Sequence, residues 1–185
     1  MASNRFNSNI GSFFLAVKFL VEELNGLHAK GIERVYIVGH SLGGAQGVVV
    51  KRQTDVRVEI RHVFTIASPI RNTPWWPLKI LVYVALGLDP DHLPPELETA
   101  RQNLRDNGDE FTTFSIRDDF IAPLPRNLIA DAENVELSTR FLRHVDNVPP
   151  PFLTHAGCLL HPTVHRTIVT KIARLREEKV AAYAV

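Results

Sequence analysis

The stretch RVYIVGHSLGGAQGVVV, residues 34–50, limits what this chain can fold into more than any other segment. Its first five residues, RVYIV, are rich in β-branched side chains and bounded by turn formers, and predict a strand buried on both faces, as in a parallel sheet. Residues 42–53 predict a helix despite three consecutive valines, because a parallel connection needs an element that carries the chain back across the sheet. Between the two stand Gly39, His40, Ser41, Gly43 and Gly44. Each glycine weakens the element it interrupts, so their clustering has a local cause. A tight strand-to-helix turn strains its central residue and brings the flanking backbone together, where side chains would collide. Gly39 and Gly43 are expected to remove that collision, and Gly44 to let the helix pack closely on the strand. Ser41 then stands at the tip with its hydroxyl pointing away from the sheet, while His40 is held with its side chain directed away from that hydroxyl.

The remaining pattern alternates in the same way. Apolar residues at 13, 17, 20, 21, 24 and 27 follow helical spacing and predict a helix over residues 8–30. Strands are expected to end in HVFTIAS (62–68), to occupy FTTFSI (111–116) and to occupy NVEL (134–137). Pro162 opens a last helix, whose stripe of Val164, Ile168, Ile172 and Leu175 runs to about residue 180. Strands alternating with helices predict an α/β domain, a mostly parallel sheet with helices on its faces, over residues 1–185. With 45% hydrophobic and 22% charged residues, a chain of 185 residues has enough apolar surface for one core. Two long connections interrupt the rhythm. Residues 70–109 read as a lid-like insertion, with Trp75 and Trp76 over an apolar pocket or simply packed on the core, and residues 138–153 are stiffened by Pro149, Pro150 and Pro151.

Composition excludes several classes of partner and cofactor. Lys and Arg total 21 against 20 Asp and Glu, a net charge of +1, so the chain has no field to steer nucleic acid or an anionic membrane. Cys158 is the sole cysteine, which rules out an internal disulfide, and no Cys/His spacing suits a metal; no cofactor is expected. Lys18 interrupts the apolar run at 10–21, no small-residue cleavage site follows and Glu22 and Glu23 come next, so it reads as an amphipathic helix, not a signal peptide, and the cytoplasm is the default compartment. Residues 75–88 are too short to span a bilayer and carry Pro77 and Lys79; no transmembrane segment is expected.

A serine at the carboxyl end of a parallel strand lies where such sheets bind ligands. Its hydroxyl becomes a nucleophile only when a base takes its proton, and that base needs a third group to hold its tautomer. His28, His62 and His92 fall on elements that do not end near Ser41. His155 lies in the loop feeding the last helix and can reach the same edge, with His161 as the second choice; His161 and His165 otherwise read as helix-entry and helix-surface residues. The acid belongs at another strand end, where Asp118 and Asp119 are adjacent and point to opposite sides, so that at most one faces the imidazole.

Taken together, these residues resemble the α/β-hydrolase superfamily, in particular bacterial lipases and carboxylesterases of the triacylglycerol-lipase type. VYIVGHSLGGAQG is similar to their nucleophile elbow, FTIASPIRNTP to the segment after their next strand, SIRDDFIAP to the turn bearing their acid, and THAGCLLHPTV to the loop bearing their histidine. The similarity runs from about residue 12 to 176 in the family's order. It implies Ser41 as nucleophile, Asp119 as orienting acid, His155 as base and the Leu42 backbone N–H as an oxyanion donor, acting on a small-molecule ester or lipid. Asn72 departs from the glycine usual before the threonine in such lipases.

The chain begins at the helix before the nucleophile strand, which leaves the family's earlier strands, and the loop supplying one of its two oxyanion donors, outside it. We therefore expect a shortened form of the fold, with RVYIV an unpaired apolar edge of a sheet of about four strands, that edge completed by an N-terminal segment or another chain, and with activity reduced by the lost donor, about 10²- to 10³-fold in kcat. The alternative expectation is a catalytically impaired homologue that binds an apolar ligand or a protein partner. Activity that depends on a neutral histidine falls as pH drops below about 6.5.

Overall fold

Among the described residues four strands run parallel in the order of the chain: β1 (Arg34–His40), β2 (Glu59–Ile66), β3 (Phe111–Ile116) and β4 (Glu133–Leu137). The computed structural model describes residues 13–69, 110–116, 119, 132–138 and 155–182, without the side chains of 14 and 178–182. The expected lid at 70–109 with Trp75 and Trp76, Asp118, and the proline-rich connection lie outside the described residues. Helix α1 (Phe13–Ala29) precedes the sheet, α2 (Leu42–Val50) joins β1 to β2, and α3 (Pro162–Ala182) follows β4 after a 3-10 turn at Cys158–Leu160. The architecture is α/β: a parallel sheet flanked by helices.

The sheet separates two apolar clusters. On one side Phe13, Val17, Val21 and Leu24 of α1 meet Ala45, Val48, Val49 and Val50 of α2 and Ile60, Val63 and Phe111 of the sheet. On the other, Phe64, Ile66, Phe114, Ile116 and Leu137 pack against Cys158 and Val164, with Ile168 and Ile172 alongside. Alternation along each strand sends neighbours to opposite faces, so Val63 and Phe64 belong to different clusters. Phe64, Phe111 and Phe114 are fully enclosed, and burial of each such ring contributes about 1.5–3 kcal/mol.

Helix α2 explains its own unusual composition. Gly44 through Val50 are all buried, so the helix is enclosed around its circumference and tertiary burial outweighs the poor helix propensity of three valines. Gly47 permits this: a Cβ there would lie 2.9 Å from Cγ2 of Ile37 and 3.3 Å from Cγ1 of Val63. The helix ends at Val50, short of residue 53, as the Arg52 and Gln53 amides tighten onto the carbonyls of Val49 and Val50.

Strand β1 is not buried on both faces as its apolar run suggests: Val35, Tyr36 and Ile37 are half-buried and Val38 is 50% exposed, in keeping with the edge position expected for a shortened sheet. Among the described residues β1 is the sheet's edge, paired with β2 alone. The fully buried strand is β3, whose six residues are all enclosed between β2 and β4. Its entry is fixed by Glu110, which pairs with Lys51 at 3.2 Å and Arg52 at 3.7 Å.

The strands end in register. His40 lies opposite Ile66, Ile66 opposite Phe114, and Ile116 opposite Leu137. Parallel orientation therefore gathers everything that follows a strand on one rim of the sheet, and that rim holds the site.

Candidate active site

Ser41 occupies the junction of β1 and α2 with φ 52° and ψ −127°. Positive φ is costly for a residue with a Cβ, and persists only where the surroundings hold it. Two backbone bonds do so here. The Ser41 amide donates to the carbonyl of Ile66 at 2.9 Å, and the Ser41 carbonyl accepts from the Gly44 amide at 3.1 Å. The serine is thereby anchored to the end of β2 as well as to α2.

The glycines divide the labour unevenly. A Cβ on Gly39 would lie 2.5 Å from the carbonyl carbon and oxygen of Gly43 and from the nitrogen of Gly44, contacts that only backbone movement could relieve. A Cβ on Gly44 would strike the Ser68 side chain and approach the Gly39 carbonyl to 3.0 Å. Around Gly43 the same position is open. The expected collision at Gly43 is therefore absent: the crowding falls on Gly39, and the close approach at Gly44 is made to Ser68, beyond β2.

Ala67 bends the end of β2 with φ 47° and donates its amide to the carbonyl of Phe114 at 2.8 Å. It ends the strand at Ile66, two residues earlier than expected, and turns the buried Ser68 under α2. Nothing in the spacing of residues 62–68 signals either feature.

Asp119 follows β3, and its amide donates to the carbonyl of Ile116 at 3.1 Å. Its side chain is fully enclosed and its Oδ2 accepts from Nδ1 of His155 at 2.8 Å, with the His155 side chain 9% exposed. A carboxylate accepts and does not donate, so the ring proton is on Nδ1 and the lone pair of the neutral imidazole is on Nε2. His161 stands at the entry to α3, where its Nδ1 accepts from the Thr163 amide at 3.2 Å. His165 is exposed and bonds the Leu159 carbonyl at 2.6 Å.

His155 also touches the turn that carries Ser41. Its carbonyl accepts from Nε2 of His40 at 3.0 Å, and the two imidazole rings lie 4.8 Å apart, tilted by 51°. Burial holds His40 below the ordinary histidine value of 6.5, against the bond to the His155 carbonyl, which favours the charged form. Cys158, three residues past His155, is enclosed. Burial, reinforced by the charge of Asp119, pushes its thiol up to about 12, so it is no nucleophile at neutral pH.

Leu42 opens α2, and the first N–H groups of a helix have no partner within it. Its amide, next to Ser41, thus has no partner within α2. Among the described residues no group of three or more His, Cys, Asp or Glu could hold a metal ion, and no helix is long and apolar enough to cross a membrane.

No protein-family model matches the chain, and no curated protein sequence does. Solved structures do. One of the carboxylesterases of the thaumarchaeon Nitrososphaera gargenis aligns with TM-score 0.54 at 13% identity, covering 88% of this chain and 73% of its own. A lipase-esterase related protein from Clostridium acetobutylicum aligns with TM-score 0.50 at 13% identity, covering 89% of this chain and 75% of its own. The fold is that of an α/β-hydrolase. Identity at this level speaks to the α/β-hydrolase architecture and not to the reaction. A meta-cleavage product hydrolase from Pseudomonas fluorescens also aligns, at 13% identity and TM-score 0.45, over 74% of this chain and 66% of its own.

Proposed function

We propose that the protein is a serine hydrolase of carboxylic esters, with Ser41 as nucleophile, His155 as base and Asp119 as the group that orients it. The observation that carries this reading is the enclosed Nδ1–Oδ2 hydrogen bond of 2.8 Å between His155 and Asp119, on the rim where Ser41 sits in a strained turn. That bond leaves the basic lone pair on Nε2, the arrangement a serine hydroxyl needs to lose its proton.

In this mechanism Nε2 of His155 takes the Ser41 proton as Oγ adds to the ester carbonyl. The developing oxyanion accepts from the Leu42 amide, and Asp119 stabilises the imidazolium. Collapse of the tetrahedral intermediate expels the alcohol, which receives the proton from Nε2, and leaves an acyl group on Ser41. Water then repeats the sequence and releases the acid. The half-buried Ser41 favours a small-molecule ester or lipid, and no cofactor enters the chemistry.

A fluorophosphonate probe tests the assignment, because it reacts with a serine only when a base activates it. Labelling of the wild-type chain that disappears in Ser41→Ala, together with hydrolysis of p-nitrophenyl esters, is the expected result. A folded wild-type chain that takes no label would overturn the reading in favour of a binding protein on the same fold.

A further inference from the structure

We infer that His40 is a positioning residue for the base: the Nε2–H that it donates to the His155 carbonyl at 3.0 Å ties the loop carrying the imidazole to the end of β1. This rests on the proposed function only in calling His155 the base. The tether itself is a statement about two histidines 115 residues apart.

A carbonyl oxygen only accepts, so Nε2 of His40 carries the proton and its neutral ring has the lone pair on Nδ1. Burial, which disfavours the charged ring, makes that neutral form the resident one at pH 7. The imidazole of His155, when charged, acts in the same sense, and the carboxylate of Asp119 in the opposite one.

His155 is consequently held at two points of different kind. Asp119 fixes the ring through Nδ1, whereas His40 fixes the backbone from which the ring hangs. A side chain held at its ring alone is free to pivot about that bond when its loop moves. A second bond at the carbonyl removes the pivot. The second anchor is also the residue next to Ser41, so any displacement of the turn shifts nucleophile and base together. Misplacement of a reacting group by about 1 Å lowers turnover by on the order of 10²-fold, which is why a bond of ordinary strength at this place has a kinetic effect.

Three forms of the full chain separate the possibilities. His40→Phe keeps a ring beside His155 and removes the donor; His40→Gln restores an amide N–H at the reach of Nε2. The expected result is a kcat for p-nitrophenyl esters lowered by about 10-fold or more in His40→Phe, with KM changed less than about twofold, and a return to within about threefold of wild type in His40→Gln. The fluorophosphonate labelling rate should follow kcat. Wild-type turnover in His40→Phe, or equal losses in both variants, overturns the inference. Nitrogen-15 spectra of the histidine rings in the wild-type chain test it without catalysis or mutation: His40 should hold its proton on Nε2 at neutral pH, and a proton on Nδ1 would refute the tether. A wild-type chain with that tautomer and no labelling would sink the esterase reading alone.

Discussion

His155 donates Nδ1–H to Oδ2 of Asp119 at 2.8 Å across 36 residues of chain, and the acid's side chain has no exposed surface. Asp119→Asn keeps the shape but offers an amide that can donate to Nδ1, which moves the ring proton to Nε2 and removes the basic lone pair. We expect kcat for ester hydrolysis to fall on the order of 10⁴-fold, with the far-UV circular dichroism unchanged. Ser41→Ala should fall further, about 10⁶-fold. Steady-state kinetics of the two variants check both; Asp119→Asn at wild-type turnover would remove Asp119 from the mechanism.

Gly39 and Gly43 flank the serine symmetrically in sequence and should respond oppositely to alanine. At Gly39 the added methyl meets Gly43 and Gly44 backbone at 2.5 Å, and overpacking that cannot be relieved by a rotamer costs about 1–3 kcal/mol or more. At Gly43 the methyl enters open space within α2, where alanine is favoured over glycine by up to about 1 kcal/mol. Urea unfolding should give a lower midpoint for Gly39→Ala and a midpoint equal to or above wild type for Gly43→Ala.

Cys158 should be inert in the folded protein. Burial, with the charge of Asp119 behind it, raises the thiol to about 12, leaving almost no thiolate at pH 8. Titration with a disulfide reagent is expected to detect no thiol until denaturant is added; rapid modification of the native chain would contradict the enclosed placement.

His40 makes stability depend on pH with a definite sign. Burial depresses its folded value below 6.5, so below that pH the unfolded chain takes up a proton that the folded chain resists. Its contribution is complete above about pH 6.5 and is lost as pH falls towards the lower, folded value. His155 and Asp119 are the titratable neighbours acting on it, in opposite senses. Wild-type urea midpoints should decline more steeply from pH 7 to 5 than those of His40→Gln, and parallel slopes would contradict the assignment.

Much of the framework was legible in the sequence because its period was clear. FTTFSI is β3 without correction, and the helical stripe at 13, 17, 21 and 24 reappears as the buried face of α1. The apolar run of β1 by itself reads as burial on both faces, because it looks alike in the middle of a sheet and at its edge; its edge position followed only from the absence of the family's earlier strands, and agrees with the strand order among the described residues. The choice between Asp118 and Asp119 came from resemblance, since adjacent carboxylates give spacing nothing to decide. The contact of His40 with His155, and of Gly44 with Ser68, escaped because each joins residues whose meeting depends on how a loop returns to the rim.

The two clusters on opposite faces of the sheet bear on how such a protein would fail. Ser41 stands where β1 enters α2, on the side of α1, while His155 leads into Cys158 and α3 on the other. The proposed catalytic pair therefore depends on two apolar interiors that share the strands between them, joined at the rim by the bond from His40 to the His155 carbonyl. Detachment of the His155 loop from the rim, too local to wet either interior, would break the bond from His40 and draw hydroxyl and imidazole apart, so on gentle heating the proposed activity should vanish while spectroscopic signs of order persist.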